Sequence, residues 1–440
     1  MANTKLTEKL TAVADAIRAK TGSFEKLTLD QMPVEIENIQ AGGGTSATPD
    51  YEVNDVTFYD YDGTIVYSCS MEEAQKLEKL PEPPGHKGLV FQGWNWTLEE
   101  IKSSSVGADV GANYDTTDGS IQFDIFIENK IELDVNIVVK QKKKGSTWSG
   151  AMVDWGDGTV EECPAQQSPT MKHSYAKCGR YTVVLHRGAG MTGIILEANY
   201  SSALFSTTST VNHNIIERAR IGSDCYSLGA YVLSGTNRLR NIAIAHNVLI
   251  NGLGTYSVLE KSSLSFFVIP RVNTYFESNV FNECSRLTGV SIPPTVTTIP
   301  QYFARKCISM QRVILPDSIT GFSANYSSFS EASALVDLRI GNKLKTLSGS
   351  VFSNAVSLAH VVIPNGVTTI EDGVFTGCTN MREYVLKPTT PPTLASAKSL
   401  AINTFGSEKT KIYVPKGTAD AYKAATNWAA LADYIVEEAE

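Results

Sequence analysis

Apolar positions follow three rhythms along this chain. Over the first forty residues Leu6, Leu10, Val13 and Ile17 lie 4, 3 and 4 apart, the seam of an amphipathic helix that Thr21 and Gly22 end. A second short helix is predicted behind it, with Asp30 as cap, Pro33 in its first turn and Met32, Ile36 and Ile39 as its apolar face. Such helices cannot bury their stripes alone, so they need each other, copies of themselves or a docking surface; residues 1–40 are expected to attach or oligomerise, and 41–50 (AGGGTSATPD) to be a flexible linker. The seam covers barely two heptads, too short to specify a homotrimer by itself.

From residue 51 the period shortens to two. DVTFYDYDGTIVYS alternates around Asp62-Gly63, a hairpin signal; a helix (MEEAQKLEKL), a strand (GLVFQGWNW) and a helix opened by a Thr97/Glu100 capping box follow. Residues 51–112 therefore read as a small α+β module. Residues 113–192 hold several short alternating segments separated by Gly and Asp turns, the pattern of a β-sandwich. Beyond it a phrase repeats. Its closing apolar residue is Ile221, Ile244, Ile269, Ile292, Leu315, Ile340, Ile363 and Leu386, at intervals of 23, 25, 23, 23, 25, 23 and 23. A fixed period of this size means a solenoid, and Leu196 and Val414 extend it to ten rungs over 193–415.

Within a rung, residues such as Val361 and Ile363 point inward, and Leu358 closes the turn before them. Phe281, Phe303, Phe329, Phe352 and Phe375 recur once per unit and are expected to stack as an internal column. In 416–440, Tyr422, Trp428, Leu431 and Ile435 are expected to form a helical cap over the open end. The positions between the inward residues form the exposed face: Arg218, Arg220, Phe266, Val268, Arg312, Ile314, Asp337, Arg339, His360 and Val362 are the candidate ligand-binding residues. The fold class is thus multidomain and mainly β.

Composition narrows the chemistry. Among 440 residues, 46 acidic against 38 basic give a net charge of −8, which opposes nucleic acid as a partner. No apolar run is long enough to insert in a membrane, and the N-terminus lacks the apolar core of a secretory signal. The basic run Lys140, Lys142, Lys143 and Lys144 is expected in a solvated hairpin loop. Seven cysteines without a C-x-x-C pair suggest neither a zinc site nor a disulfide framework, and Cys163 and Cys178 are expected to be reduced and buried. GAGMTG at 188–193 spells a dinucleotide fingerprint, but the strand-like IILEANY behind it makes it a turn. The six histidines have no ligand spacing, and Asp154 and Asp157 are too few acids for a calcium loop. No catalytic residue, metal or cofactor is expected.

Four resemblances join these readings. The segment LTAVADAIRAKTG with LTLDQMPVEIENI resembles the opening of tail-associated proteins of phages and prophages of Gram-positive gut bacteria. Val56, Phe58, Gly63, Pro81, Pro84, Gly88, Phe91, Gly93 and Trp94 keep a rhythm similar to the β-grasp repeat of internalin-type surface proteins. VDWGDGT with HSYAKCGRYTVVL resembles the polycystic kidney disease (PKD) domain, an immunoglobulin-like fold. The solenoid phrase resembles BspA-like leucine-rich repeats. Together they imply a non-enzymatic receptor-binding protein of a virion tail. Its N-terminus would engage other tail proteins, and its solenoid would hold a bacterial surface receptor, protein or carbohydrate. A bacterial surface adhesin built from the same modules, and a tail-borne glycan hydrolase, are the alternatives.

Overall fold

A computed structural model describes residues 55–128, 134–145, 147–198, 204–207, 215–250, 258–274, 276, 278–323 and 327–438. The expected helices of 1–40, with Leu6, Leu10, Val13 and Ile17, and the linker after them lie outside these residues. The described residues are mainly β and fall within one compact unit, Asn54–Glu440.

The first element is a four-stranded mixed sheet. β1 (Val56–Tyr59) forms a hairpin with β2 (Ile65–Cys69) through Asp62-Gly63, runs parallel to β4 (Ala108–Thr116), and β4 is antiparallel to β3 (Leu89–Trp94), giving the order β2-β1-β4-β3. Helices α1 (Met71–Lys76) and α2 (Leu98–Ser103) each open with a capping box, Ser70 with Glu73 and Thr97 with Glu100, and each buries one side chain, Ala74 and Ile101. Phe58, Trp94, Trp96 and Tyr114 complete the core of this module.

The next residues form two facing layers that run without a break into the solenoid. β5 (Ile121–Ile127), whose alternate residues are all buried, pairs on one side with β11 (Gly179–His186) and on the other with β14 (Ile216–Ile221), the first rung strand. With β8 (Met152–Asp154), β9 (Val160–Glu162) and β16 (Ile242–Ile244) they make one six-stranded sheet. The opposite layer holds β6 (Asp134–Val138) between β10 (Thr170–Ser174) and β13 (Phe205–Thr207), and a second sheet of β7 (Lys140–Lys143), β12 (Met191–Leu196), β15 (Cys225–Leu228) and β17 (Leu249–Ile250). A single hydrophobic core therefore extends from Ile121 to Ile435. Trp155 lies fully buried beneath the Asp154–Thr159 turn, where Gly156 and Gly158 have φ of 81° and 97°. Tyr175 donates from its hydroxyl to the Trp155 carbonyl at 2.9 Å.

Three expectations are corrected here. The lysine run is strand β7 rather than a loop, held against β12. Leu196 lies on β12 in the opposite layer, and the front-sheet neighbour of β14 is β5, antiparallel, so the two sheets of the sandwich close that end of the solenoid. Cys178 is exposed, whereas Cys163 is buried.

From β14 onward the rungs stack in register. Val268 pairs with Ser291, Leu315 with Ile340 and Ile363 with Leu386, always in parallel. The five phenylalanines form the expected column, with centroids 5.2, 5.8, 5.6 and 5.7 Å apart from Phe281 to Phe375. Each lies between two residues in the left-handed region, four apart: Asn279 and Glu283, Tyr302 and Lys306, Ser327 and Glu331, Ser350 and Asn354, Gly373 and Gly377. Cys284, Cys307 and Cys378 occupy one rung position, each thiol donating to the carbonyl of the preceding rung at 3.0, 3.0 and 3.3 Å. Burial pushes the Cys284 and Cys378 thiols up to about 12, so they pack as small hydrophobes. At the far end Tyr422, Trp428, Leu431 and Ile435 are buried, and Ile435–Glu437 adds a last parallel strand beside Lys411–Val414.

Candidate binding surfaces

The front sheet, which carries the outward residues of the rungs, is largely closed in its middle. The 55–116 module lies on it. The rings of Tyr59 and Phe266 are 4.6 Å apart, and Gly111 approaches so closely that a Cβ there would sit 2.5 and 2.6 Å from the two methyls of Val268. Asn95 donates to Ser291 Oγ at 2.8 Å and accepts from the Gly111 amide at 2.7 Å, and the Trp96 indole donates to the Ile292 carbonyl at 3.1 Å. At the rim Arg271 forms a bidentate pair with Glu100, at 2.6 and 2.9 Å.

Charge is matched inside this interface. Arg312 lies 3.5 Å from Asp109 and 3.2 Å from Asp337; Arg339 lies 3.2 Å from Asp337 and 2.9 Å from Asp55. Burial pushes the Asp109 carboxyl up to about 6, against the opposing pull of Arg312. Burial, with Asp109 adding to it, likewise raises the Tyr59 hydroxyl to about 12.

The ten candidate face residues thus part company. Phe266, Val268 and Ile314 are buried, contrary to the exposed face expected for them. Arg312, Asp337 and Arg339 are largely withdrawn into the ion cluster. His360 and Val362 lie beyond the module, His360 3.5 Å from Glu383 and Val362 exposed. Burial lowers the His360 imidazole below its ordinary range despite that carboxylate. Arg218 and Arg220 lie on the sandwich side, both paired to Asp124 at 3.1 Å.

On that sandwich side the front sheet has a cleft of about 550 Å³ that sequence reasoning touched only through Arg218. It is lined by Arg180 of β11, Arg218 of β14, Arg238 and Arg240 ahead of β16, and Phe126 of β5. The guanidinium carbons of Arg180 and Arg238 sit 4.6 and 5.3 Å from the Phe126 centroid. Arg180 is bidentate to Glu217 at 2.8 and 3.0 Å, and Arg238 pairs with Glu128. Because these residues come from segments separated by up to 114 positions, from Phe126 to Arg240, only the sandwich-to-solenoid pairing brings them together.

A larger cleft, about 630 Å³, opens on the opposite layer between β7 and β15, with Trp148, Tyr226 and Glu197 in its walls. Lys142 holds its ammonium 3.4 Å from the Tyr226 centroid, and Lys140 pairs with Glu197, so two lysines of the basic run become wall groups of this cleft. Among the described residues no cluster of His, Cys, Asp and Glu fits a metal ion, and no helix is long and apolar enough to cross a membrane.

Comparison with known proteins locates the repeat. The sequence model of the BspA type leucine rich repeat region matches in overlapping stretches, 205–327, 252–382 and 323–413, as six copies. No curated protein matches the chain. Three solved structures are similar. A leucine-rich repeat protein from Bacteroides ovatus is 17% identical with a TM-score of 0.34, over 45% of this chain and 55% of that one. A leucine rich cell surface protein from Faecalibacterium prausnitzii is 21% identical with a TM-score of 0.28, over 47% and 61%. The pneumococcal vaccine antigen PcpA is 14% identical with a TM-score of 0.27, over 49% and 67%. The chain thus spans little more than half the length of the first two. Residues 205–413 carry BspA type leucine-rich repeats.

Proposed function

We propose that this chain is a non-enzymatic, modular adhesion protein that holds a bacterial surface receptor on its repeat domain. The observation that carries this reading is the single core running from Ile121 to Ile435. It is closed at one end by the sandwich sheets and at the other by Tyr422 and Trp428. A wall built this way offers a broad surface whose order is already established before a partner arrives, which lowers the entropic cost of binding. With the module seated over Phe266, Val268 and Arg312, the receptor contacts fall on the open stretches, at Arg218 and Arg220 on one side and at His360 and Val362 on the other.

In its finer form the proposal makes the 55–116 module a β-grasp-like unit, the sandwich a PKD-like unit, and the setting a phage or prophage tail. There residues 1–40 attach to other tail proteins or form a trimer. The resemblance of that segment to tail-associated proteins supports the setting. Labelled full-length protein, incubated with a panel of Gram-positive gut bacteria, is expected to bind at least one strain saturably. Absence of saturable binding to every strain overturns the reading, and sugars released from purified cell-wall glycans would replace it with the hydrolase. Antibody labelling of induced phage particles separates the tail setting from a cell-surface one.

A further inference from the structure

We infer that the arginine cleft on the sandwich side of the front sheet is a binding site for an extended polyanion, a polymer carrying phosphodiester or carboxylate groups at short regular intervals. The inference rests on the adhesion reading and names the chemistry of the receptor. Four arginines and a single carboxylate, that of Glu217, line the cleft in a chain whose net charge is −8. The sheet order β16-β14-β5-β11 sets Arg218 on β14 and Arg180 on β11 either side of β5, with Arg240 two residues ahead of β16. Strands lie about 4.8 Å apart, so the backbone segments that carry these arginines span roughly 15 Å across the sheet, a row of positive charge. Such a row meets a charged chain lying across the strands, one anionic group per arginine.

The pairing within the cleft supports a ligand rather than a closed salt-bridge network. Glu217 holds Arg180 through two bonds, and Asp124 is shared between Arg218 and Arg220, so Arg180 and Arg218 keep donors in solvent. The Arg180 and Arg218 side chains are 68% and 66% exposed. Arg240 is exposed and has no carboxylate partner among the described residues. Phe126 beneath Arg180 and Arg238 keeps their planar forks in place, which suits bidentate recognition of phosphate or carboxylate better than lysine ammoniums would.

The test uses the full chain with inorganic polyphosphate and with polygalacturonate, and with neutral dextran as the comparison. The intact protein is expected to bind at least one of the two polymers in low salt, and to lose about tenfold in affinity when salt is raised severalfold. Binding to polyphosphate alone assigns a phosphate-bearing ligand; binding to polygalacturonate alone assigns a carboxylate one. The double variant Arg218→Ala with Arg240→Ala is expected to bind at least tenfold more weakly with an unchanged thermal midpoint. Arg240→Glu, which breaks no ion pair among the described residues, is expected to do the same alone. Wild-type affinity in both variants overturns the inference, as does failure of the intact protein to bind either polymer, or equally tight binding to neutral dextran. Adhesion to host cells without polymer binding removes this inference and leaves the adhesion reading standing. Polymer binding without adhesion to any cell keeps the cleft assigned and removes the adhesion reading.

Discussion

Asn95 and Ser291, 196 positions apart in the chain, meet in the fully buried interface between the small module and the solenoid, with the amide nitrogen donating to the hydroxyl oxygen at 2.8 Å. The same amide reaches the carbonyls of Ile269 and Ser291 at 3.1 and 3.2 Å, and the Ser291 hydroxyl donates to the Asp109 carbonyl at 2.5 Å. One side chain therefore satisfies backbone groups of two rungs and of its own module. This is a buried, hydrogen-bonded joint, and it makes the module part of the solenoid wall.

Replacing Asn95 by Ala leaves the Gly111 amide and the Ile269 carbonyl buried without this partner, while the Ser291 carbonyl keeps the Ile269 amide at 3.2 Å. Each such group costs about 1–3 kcal/mol. Asn95→Ala is expected to lower the unfolding free energy by more than about 2 kcal/mol, measured as a shift in the urea midpoint. A shift within error would show that the joint does not depend on this amide.

Gly111 and Val268 form a steric pair. A methyl group at 111 overlaps the valine methyls, so Gly111→Ala is expected to cost about 1–3 kcal/mol. Truncating Val268 to Ala makes room for it. The double variant should be less destabilised than the sum of the two single ones, and a double-mutant cycle reads that coupling directly. Strict additivity would mean the two positions do not touch.

Asp109 gives the joint a pH dependence of a particular sign. Its folded pKa of about 6 lies above the ordinary value near 4, so the folded state holds the proton more tightly than the unfolded chain. Its contribution to stability is therefore fully present below about pH 4 and lost as pH rises to about 6. The wild type is expected to lose stability relative to Asp109→Asn between pH 4.5 and 6.5. Urea midpoints at several pH values check this, and a constant difference would contradict it.

The left-handed pairs that flank the phenylalanine column offer a comparison between rungs. Ser350, with φ of 57°, occupies the place that Gly373 takes one rung later, with φ of 72°. A Cβ in this region costs about 1–2 kcal/mol, part of which glycine returns through the entropy of its unfolded state. Ser350→Gly is expected to raise stability by about 0.5 kcal/mol and Gly373→Ala to lower it by about 1 kcal/mol, both read from thermal midpoints. The opposite order would mean that other contacts set the choice of residue here.

The sequence by itself determined the elements whose cause is local or periodic. Interval counting placed the rung strands because each buried pair, such as Val361 and Ile363, must face one shared core, and it placed the phenylalanine column and the C-terminal cap for the same reason. Capping residues fixed α2, and glycines fixed the turn over Trp155. The left-handed pairs left little trace, since only Asn279, Asn354, Gly373 and Gly377 mark them by residue type while tyrosine, serine, lysine and glutamate fill the other places.

Tertiary structure alone decided which residues of the repeat face meet solvent. The contacts of Phe266 with Tyr59 and of Arg312 with Asp109 join segments about two hundred positions apart, and no period or local propensity encodes which surface a separate module will cover. The sandwich-to-solenoid junction is of the same kind. Strand β5 presents apolar alternation that any sheet edge could accept, and only its pairing with β14 sets Arg180, Arg218 and Arg240 around one cleft. A repeat specifies its own interior because every unit solves the same packing problem, whereas its exterior is specified by whatever else the chain folds against it.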